Sequence, residues 1–492
     1  MKPILFLTAF FATSFVKAQT IVTRSIYASE LNDSIRYRVW LPERFDKNAK
    51  HTAIYTVEDT EDGILFGCAS FAMKQKSIPG TIVVGIISGR KLIDFNFLTG
   101  KPNPKGMTFL KEWTTRIIPD VEKEFGASVY KAFMGHSYSA VYGNYLMLHH
   151  PGLFKGYILF APERYWNDET KPVYSISDSI ARYYNNNKAF VYLAVGAEDI
   201  KRRKDYVSEI ADKVKILDST RFIFKSEIAA GSHHMSIVPN KMEAALWHIF
   251  NSVTNFQDRD SVVNALEYFN EVQKDLNDVF GIDIPKYPET SWYFYKLAAK
   301  NRDEKAFNTF SNYFPFQKML GGAGLDYCNI ASVCLAEGWK SKAEALYQQA
   351  IKQAAEDEQT KPAVQNQYNI EMASRNLAFK IYTADPDKAW NILLHAAKTI
   401  KYIGNYFNAG RFGVEKKLHL EAGISYLKKC LDMKDSEEFI QYEERIYQYL
   451  AQGYFLQDNK KKALEFAEKT VALNPGNDPA RYILFKYGKA PG

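Results

Sequence analysis

One serine lies where an apolar strand pattern is followed directly by a helical one. The strand pattern ends at residue 134, and residues 135–139 then read Gly-His-Ser-Tyr-Ser. In a nucleophile elbow the serine occupies a strained strand-to-helix turn, where small residues two positions before and after it avoid collision. Gly135 meets the first requirement, and Ser139 puts another small residue in place of the second glycine. Because serines also cap many ordinary helices, the motif makes Ser137 a candidate nucleophile that needs partners.

The partners of a serine nucleophile are a base and an acid that orients the base. An apolar run that ends at Val195 is followed by Glu198 and Asp199, and we take Asp199 as the acid with Glu198 as the alternative. After the last strand pattern come two adjacent histidines, His233 and His234. Each residue taken alone has an ordinary explanation, such as a helix start or a surface loop. The order serine, acid, histidine is that of α/β-hydrolases, and it favours the catalytic interpretation.

The elements that must position these residues lie in the first half of the chain. Between residues 20 and 250, short runs rich in β-branched residues alternate with helical patterns, which predicts a mostly parallel sheet flanked by helices. The predicted strands are 21–27, 37–41, 53–57, 81–87, 131–134, 156–160, 189–195 and 221–225. Helices are predicted at 109–125, with Pro119 as a site for a kink, and at 140–149.

After residue 250 the pattern becomes almost wholly helical, with internal similarity near a period of 34 residues. Small and aromatic residues recur at tetratricopeptide-repeat offsets: Ala331, Gly338, Ala343, Tyr347 and Ala350, then Ala451, Tyr454, Ala463, Ala467 and Pro475. Weaker copies surround Ala306 with Phe310, and Ala389 with Ala396. Small residues let paired helices approach closely. We therefore predict an all-α repeat domain that offers a surface to a protein partner, with an ordinary helical bundle as the alternative.

The N-terminus has the features of a signal peptide: Lys2, an apolar run over residues 4–16, and small residues at Val16 and Ala18. No later run of 18 to 20 apolar residues predicts a membrane span. The four cysteines, at positions 68, 328, 334 and 430, lack metal-ligand spacing and are expected as free thiols. The net charge of +7 is spread along the chain. Its densest basic cluster, residues 201–204, is expected as a solvated helix start, so nucleic-acid binding is not expected.

The first half resembles the esterase family that includes esterase D, ferric-enterobactin-type siderophore esterases and feruloyl esterases. The resemblance covers residues 21–250. Its matching stretches are 83–86 with Arg90 and Asp94, 109–125, the elbow, 151–154, 161–166, and the His-Met-Ser-Ile-Val-Pro loop at 234–239. This alignment implies an α/β-hydrolase fold with His234 as the base.

The resemblance also implies an oxyanion hole, formed by the backbone N–H of Tyr138 and a second one near Asp59 or Thr60. Family members commonly carry Asp-Gly in that loop, where this chain has Glu58, Asp59 and Thr60. Loss of one such donor typically costs about 2.7–4 kcal/mol of transition-state stabilisation. After the strand at 156–160, the residues Arg164, Tyr165 and Trp166 are expected to line the substrate cleft.

These observations predict four segments: a signal peptide (1–18), an α/β-hydrolase esterase domain (19–255), a connecting helix or linker (256–285) and the tetratricopeptide-like domain (286–492). The expected activity is ester hydrolysis by Ser137, His234 and Asp199, with no metal or cofactor, in the periplasm or outside the cell. The substrate class is a siderophore, hydroxycinnamoyl or acetylated-sugar ester. Two alternatives stay open: acyl transfer to an acceptor other than water, and a non-catalytic scaffold, which the altered Ser139 and Glu58–Asp59 loop suggest.

Overall fold

The computed structural model describes residues 20–43, 45–58, 61–96, 99–163, 175–316 and 323–488 of the 492-residue chain. The predicted signal peptide lies outside these residues. The described residues divide into two compact units, which are 20–258 with 269–285, and 259–268 with 286–488. The first is an α/β unit and the second is wholly helical, so the predicted fold class is confirmed for both regions.

The centre of the first unit is a sheet to which eight strands belong in the described part of the chain. They are β1 (Ile21–Ala28), β2 (Asp33–Trp40), β3 (His51–Thr56), β4 (Thr81–Ile86), β7 (Ala127–His136), β8 (Gly156–Phe160), β9 (Ala189–Gly196) and β10 (Phe222–Ala229), while β5 (Phe95–Asn96) and β6 (Lys101–Pro102) form a small separate ladder. The strands of the eight-stranded sheet have the order β1-β2-β4-β3-β7-β8-β9-β10. Within the described part of the eight-stranded sheet, the β1–β2 and β2–β4 pairs are antiparallel and the other pairs are parallel. All residues of β3, β4, β8 and β9 are buried, as expected for parallel strands covered on both faces.

Three predicted strands are too short. The strand predicted at 131–134 is the ten-residue β7, and the strands predicted at 37–41 and 221–225 are the eight-residue β2 and β10. The apolar runs that served as the signal stop at polar residues such as Ser128 and Lys131. Backbone pairing does not stop there, because β7 bonds to β3 from Ala127 onward. The longer β7 carries the chain directly to the elbow.

Helices cover the sheet of the first unit. They are α1 (Glu61–Lys74), α2 (Gly89–Leu92), α3 (Pro104–Glu112), α4 (Ile118–Phe125), α5 (Tyr138–His149), α6 (Asp178–Asn186), α7 (Lys201–Lys213), α8 (Ile237–Thr254) and α9 (Ala265–Phe280). Short 3₁₀ turns occur at Ser29–Leu31 and Val214–Ile216 in this unit and at Arg259–Ser261 in the second unit. The α9 helix was predicted within the connecting segment. From Phe269 onward it folds with the first unit, because Phe280 packs against Tyr130 and Phe190.

The helix predicted at 109–125 is a composite of three segments. Between α3 and α4 lies a π-helical turn, Trp113–Ile117, in which the amide of Ile118 donates to the carbonyl of Trp113. Pro119 has no N–H to continue the regular ladder, which accounts for an irregularity at the predicted kink. The turn places the fully buried Trp113 against Phe109 and Phe154.

The second unit contains eleven α-helices within its described residues. They are α10 (Pro288–Asn301), α11 (Glu304–Tyr313), α12 (Ala323–Ala336), α13 (Lys340–Thr360), α14 (Val364–Asn376), α15 (Pro386–Thr399), α16 (Ile403–Glu415), α17 (Leu420–Leu431), α18 (Phe439–Leu456), α19 (Lys460–Leu473) and α20 (Asp478–Lys486), with a π-helical turn at Leu377–Ile381. The alanines of the predicted repeats are buried. The tetratricopeptide assignment itself stays a prediction. In neither unit is any described helix long and apolar enough to cross a membrane.

Candidate active site

The predicted nucleophile lies in a strained turn between β7 and α5. Ser137 has φ 56° and ψ −112°, a conformation that costs about 1–3 kcal/mol for a residue other than glycine. Its amide donates to the carbonyl of Phe160 on β8, at 2.8 Å. A Cβ atom at position 135 would lie 2.7 Å from the backbone of Ser139, so Gly135 is required there. The sequence thus folds locally into the geometry of a nucleophile elbow.

The predicted acid follows β9, the second strand beyond β7 in the sheet. Asp199 is 7% exposed, and its Oδ2 lies 3.0 Å from Nδ1 of His234. Its Oδ1 accepts hydrogen bonds from Arg203 at 2.6 Å and from the amide of Ile200 at 2.7 Å. Burial acts to raise the pKa of Asp199, but these hydrogen bonds outweigh it and hold the pKa below its ordinary value. Asp199 is therefore an ionised partner for the imidazole, whereas the alternative acid, Glu198, is exposed.

The predicted base, His234, is partly buried, with 28% of its side chain exposed. Burial is the main cause that lowers its pKa, and the positive charge of Arg203 and the neighbouring His136 add to the lowering. The hydrogen bond to Asp199 acts in the opposite direction without reversing the shift. The imidazole is therefore neutral at neutral pH, which is the state that accepts a proton.

The neighbouring histidine has a different role. His233 is exposed, and its Nδ1 accepts the amide of Met235 at 3.2 Å, which closes a turn at the start of α8. The same loop is joined to the turn that carries Asp199, because the amide of Glu198 donates to the carbonyl of Ser232 at 3.0 Å. Acid and base are thus held together by backbone as well as side-chain bonds.

A network of four buried residues lies behind the elbow, and no catalytic role was predicted for them from the sequence. We call Glu58, Glu61, His136 and Ser139 the rear network. The hydroxyl of Ser139 donates to Oε1 of Glu58, and its oxygen accepts the amide of His136 at 2.8 Å. Burial raises the pKa of Glu58. Ser139 therefore bonds directly to Glu58. Ser139 in place of glycine and Glu58 in the loop after β3 are both departures from the family pattern, and they form one hydrogen bond together.

The ring of His136 joins two further parts of the site. Its Nδ1 lies 2.9 Å from Oε1 of Glu61, and its Nε2 lies 2.8 Å from the backbone carbonyl of His234. The His136 and His234 rings are 4.7 Å apart between centroids. These contacts bring His234 beside the elbow. Residues 136 and 234 are 98 positions apart, so only an alignment of relatives could have signalled the pair from sequence.

A second missed feature is an ion-pair chain that ends on Asp199. Glu163 is 3% exposed and pairs with Arg202 and Arg203, and Arg203 continues the chain to Asp199. The expectation of a solvated helix start at residues 201–204 is correct for Lys201 but wrong for Arg203. Only 15% of the Arg203 side chain is exposed, because two buried carboxylates hold it.

The remaining predicted site residues divide into two groups. Tyr138 is the first residue of α5, so its amide lies at the helix N-terminus, where N–H groups and the helix dipole stabilise an anion. Asp59, Thr60, Arg164, Tyr165 and Trp166 lie outside the described residues. Among the residues that the structure describes, no group of three His, Cys, Asp or Glu side chains is placed to hold a metal ion.

One family model and several solved structures are similar to this chain. The family described as "Putative esterase" matches residues 28–266. Among solved structures, an IroE-like serine hydrolase from Shewanella oneidensis is 14% identical, with a TM-score of 0.48, over 60% of this chain and 98% of its own. The siderophore hydrolase EstA from Aspergillus nidulans is 16% identical, with a TM-score of 0.39, over 48% and 95%.

A third structural neighbour is the feruloyl esterase module from Clostridium thermocellum, in complex with sinapinate. It is 16% identical, with a TM-score of 0.37, over 47% of this chain and 88% of its own. No curated protein sequence gives a significant match.

Proposed function

We propose that this chain works through Ser137, His234 and Asp199 as a carboxylic ester hydrolase, the class of enzyme that the match of residues 28–266 to the esterase family indicates. The observation that carries this proposal is the contact of Asp199 with the imidazole of His234, at 3.0 Å, in a loop bonded to the residue before Ser137. A serine held in the strained elbow then has a base and an oriented acid near it. Those are the requirements of nucleophilic catalysis by a hydroxyl group.

In the proposed mechanism His234 removes the proton of Ser137 while Oγ attacks the ester carbonyl. The amide of Tyr138 stabilises the oxyanion that forms. The imidazolium of His234 then donates its proton to the leaving alcohol, and the acyl-enzyme remains. Water attacks this intermediate with His234 again as base, and release of the acid restores the free serine. Asp199 stays ionised throughout and stabilises the cationic imidazole.

The proposed substrates are siderophore, hydroxycinnamoyl or acetylated-sugar esters. This proposal is supported by the sequence resemblance of the elbow and of residues 234–239 to siderophore and feruloyl esterases. Export to the periplasm or the medium is proposed from the pattern of residues 1–18. The helical unit is proposed to consist of tetratricopeptide-like repeats that bind a protein partner.

The scaffold alternative is less well supported than catalysis. It was motivated by Ser139 and by the Glu58–Asp59 loop, which depart from the common family pattern. Glu58 and Ser139 bond to each other directly at the elbow. The two departures therefore compensate each other in the packing of the site, and they do not argue for lost activity.

The test is reaction of the purified protein with a fluorophosphonate probe and with short p-nitrophenyl esters. We expect labelling and turnover in the wild type, and loss of both in Ser137→Ala. Ser208→Ala is the matched control, since Ser208 is an exposed serine on α7. If a folded wild type shows neither labelling nor turnover, or if Ser137→Ala keeps comparable turnover, the proposed function is wrong.

A further inference from the structure

We propose that His136 is a positioning residue that couples the loop after β3 to the base His234, an inference that rests on the proposed function. Glu58 and Glu61 lie on either side of residues 59–60, where the second oxyanion donor is expected. Both glutamates bond to His136. His136 in turn bonds to the carbonyl of His234 and directly precedes Ser137. His136 therefore connects the loop after β3, the proposed base His234 and the proposed nucleophile Ser137.

The side chain of His136 makes this connection through both of its ring nitrogens. Its ring is 2% exposed, and Nε2 faces a backbone carbonyl, which only accepts. On the other side, Nδ1 faces Glu61. The hydrogen bond with His136 is the main cause that lowers the pKa of Glu61. The ring of His136 therefore bridges the Glu61 carboxylate and the backbone of His234.

The backbone of His136 adds a second connection to the same loop. Its amide donates to Oγ of Ser139 at 2.8 Å and lies 3.3 Å from Oε1 of Glu58. Ser139 donates its own proton to Glu58. Glu58 thus bonds to the elbow, and Glu61 bonds to the His136 ring, which in turn bonds to the loop of His234. A shift of the loop after β3 changes both connections.

A purely structural role would not require this arrangement. A buried pair of a carboxylate and a histidine is often no more stabilising than a well-packed apolar pair. What the pair provides is direction, since hydrogen bonds to a carboxylate are short and specific in geometry. The bond to the carbonyl of His234 places the backbone that carries the base. Small errors in that placement reduce the rate of the chemical step.

Two variants separate the two bonds of the His136 ring. In His136→Gln the amide NH₂ group can reach the position of Nε2 and donate to the His234 carbonyl. In His136→Asn the shorter side chain reaches only the position of Nδ1, beside Glu61. We expect kcat to fall by about 100-fold in the Asn variant and by less than about tenfold in the Gln variant, with KM little changed in both.

The measurement is kcat and KM with p-nitrophenyl esters, together with the rate of fluorophosphonate labelling. Labelling should slow in parallel with kcat, because both require activated Ser137. A wild-type kcat in both folded variants, or a larger loss in the Gln variant, would overturn the inference. So would a loss confined to KM.

A third variant covers the case in which neither His136 variant folds. Glu61→Gln keeps an acceptor for His136 but removes the negative charge, and we expect kcat to fall by about tenfold at unchanged KM. Unchanged kcat would contradict the inference. The wild type and Ser137→Ala are measured alongside. Absence of labelling in the wild type rejects the proposed function, whereas active wild type with unaffected variants rejects only the role of His136.

Discussion

Two clusters that contain buried carboxyl groups contact His234, and they contact different parts of it. One cluster is the chain Glu163–Arg203–Asp199, which ends on the imidazole. The other is the rear network, in which the His136 ring ends on the backbone carbonyl of His234. Each contains two buried carboxyl groups. The first orients the ring of His234, whereas the second bonds to the backbone of the loop that carries it.

This comparison explains the opposite protonation behaviour of two buried acids. The pKa of Asp199 is lowered despite burial, since Arg203, an amide and His234 all donate to it. The pKa of Glu58 is raised because burial dominates, even though Ser139 donates to it. Burial alone therefore does not decide the charge of a carboxyl group at this site. The number and charge of its donors decide it.

The largest expected effect is at the end of the first cluster. Asp199→Asn should lower kcat by about 10⁴-fold, because an asparagine favours the wrong imidazole tautomer. The measurement is kcat with p-nitrophenyl esters at pH 7. Glu198→Gln is the matched control in the same turn and should retain nearly full activity. If Glu198→Gln is instead the inactive variant, the acid has been wrongly assigned.

The next effect concerns the cation of the same cluster. Arg203→Met leaves Asp199 and Glu163 buried without their shared partner and should destabilise the fold by about 3 kcal/mol, measured by chemical denaturation. Asp199 has a lowered folded pKa, so its contribution is present above about 3.8, its ordinary pKa, and is lost as the pH falls. The variant should lose less stability than the wild type on acidification.

The same substitution should change the pH profile. The charge of Arg203 lowers the pKa of His234, so its removal raises that pKa. The acidic limb of kcat/KM, which reports protonation of the free base, should therefore move to higher pH. Lys201→Met is the control, since Lys201 is an exposed cation on the same helix. An unshifted acidic limb in a folded Arg203→Met protein would contradict the electrostatic role.

The smallest effects are expected at Glu58 and Ser139 in the rear network. Ser139→Ala leaves Glu58 and the amide of His136 without a hydroxyl partner and should cost about 1–3 kcal/mol of stability. Glu58→Gln should cost less, because the buried acid has a raised pKa and a neutral amide still accepts from Ser139. Thermal and urea unfolding measure both. A larger loss in Glu58→Gln would mean that the negative charge of Glu58 matters.

Much of the first unit could be predicted from patterns within short stretches. The apolar runs of the buried parallel strands are continuous, so their existence and order could be recognised, and the strand at 156–160 has the predicted bounds. The order of Ser137, the acid turn and the histidine loop follows from the same strands. The length of β7 could not be predicted, because Ser128 and Lys131 interrupt its apolar pattern.

The sequence by itself determined which residue types are available at the ends of the strands and in what order they occur. It favoured Asp199 as the acid but left Glu198 open as the alternative, because the two residues are adjacent in one turn. Only the tertiary structure distinguished them, by burying Asp199 against His234 and Arg203 and leaving Glu198 exposed. It alone also brought Glu58, Glu61 and His136 together. Hydrogen bonds that join residues 75 to 98 positions apart depend on strand order in the sheet, and no local pattern encodes them.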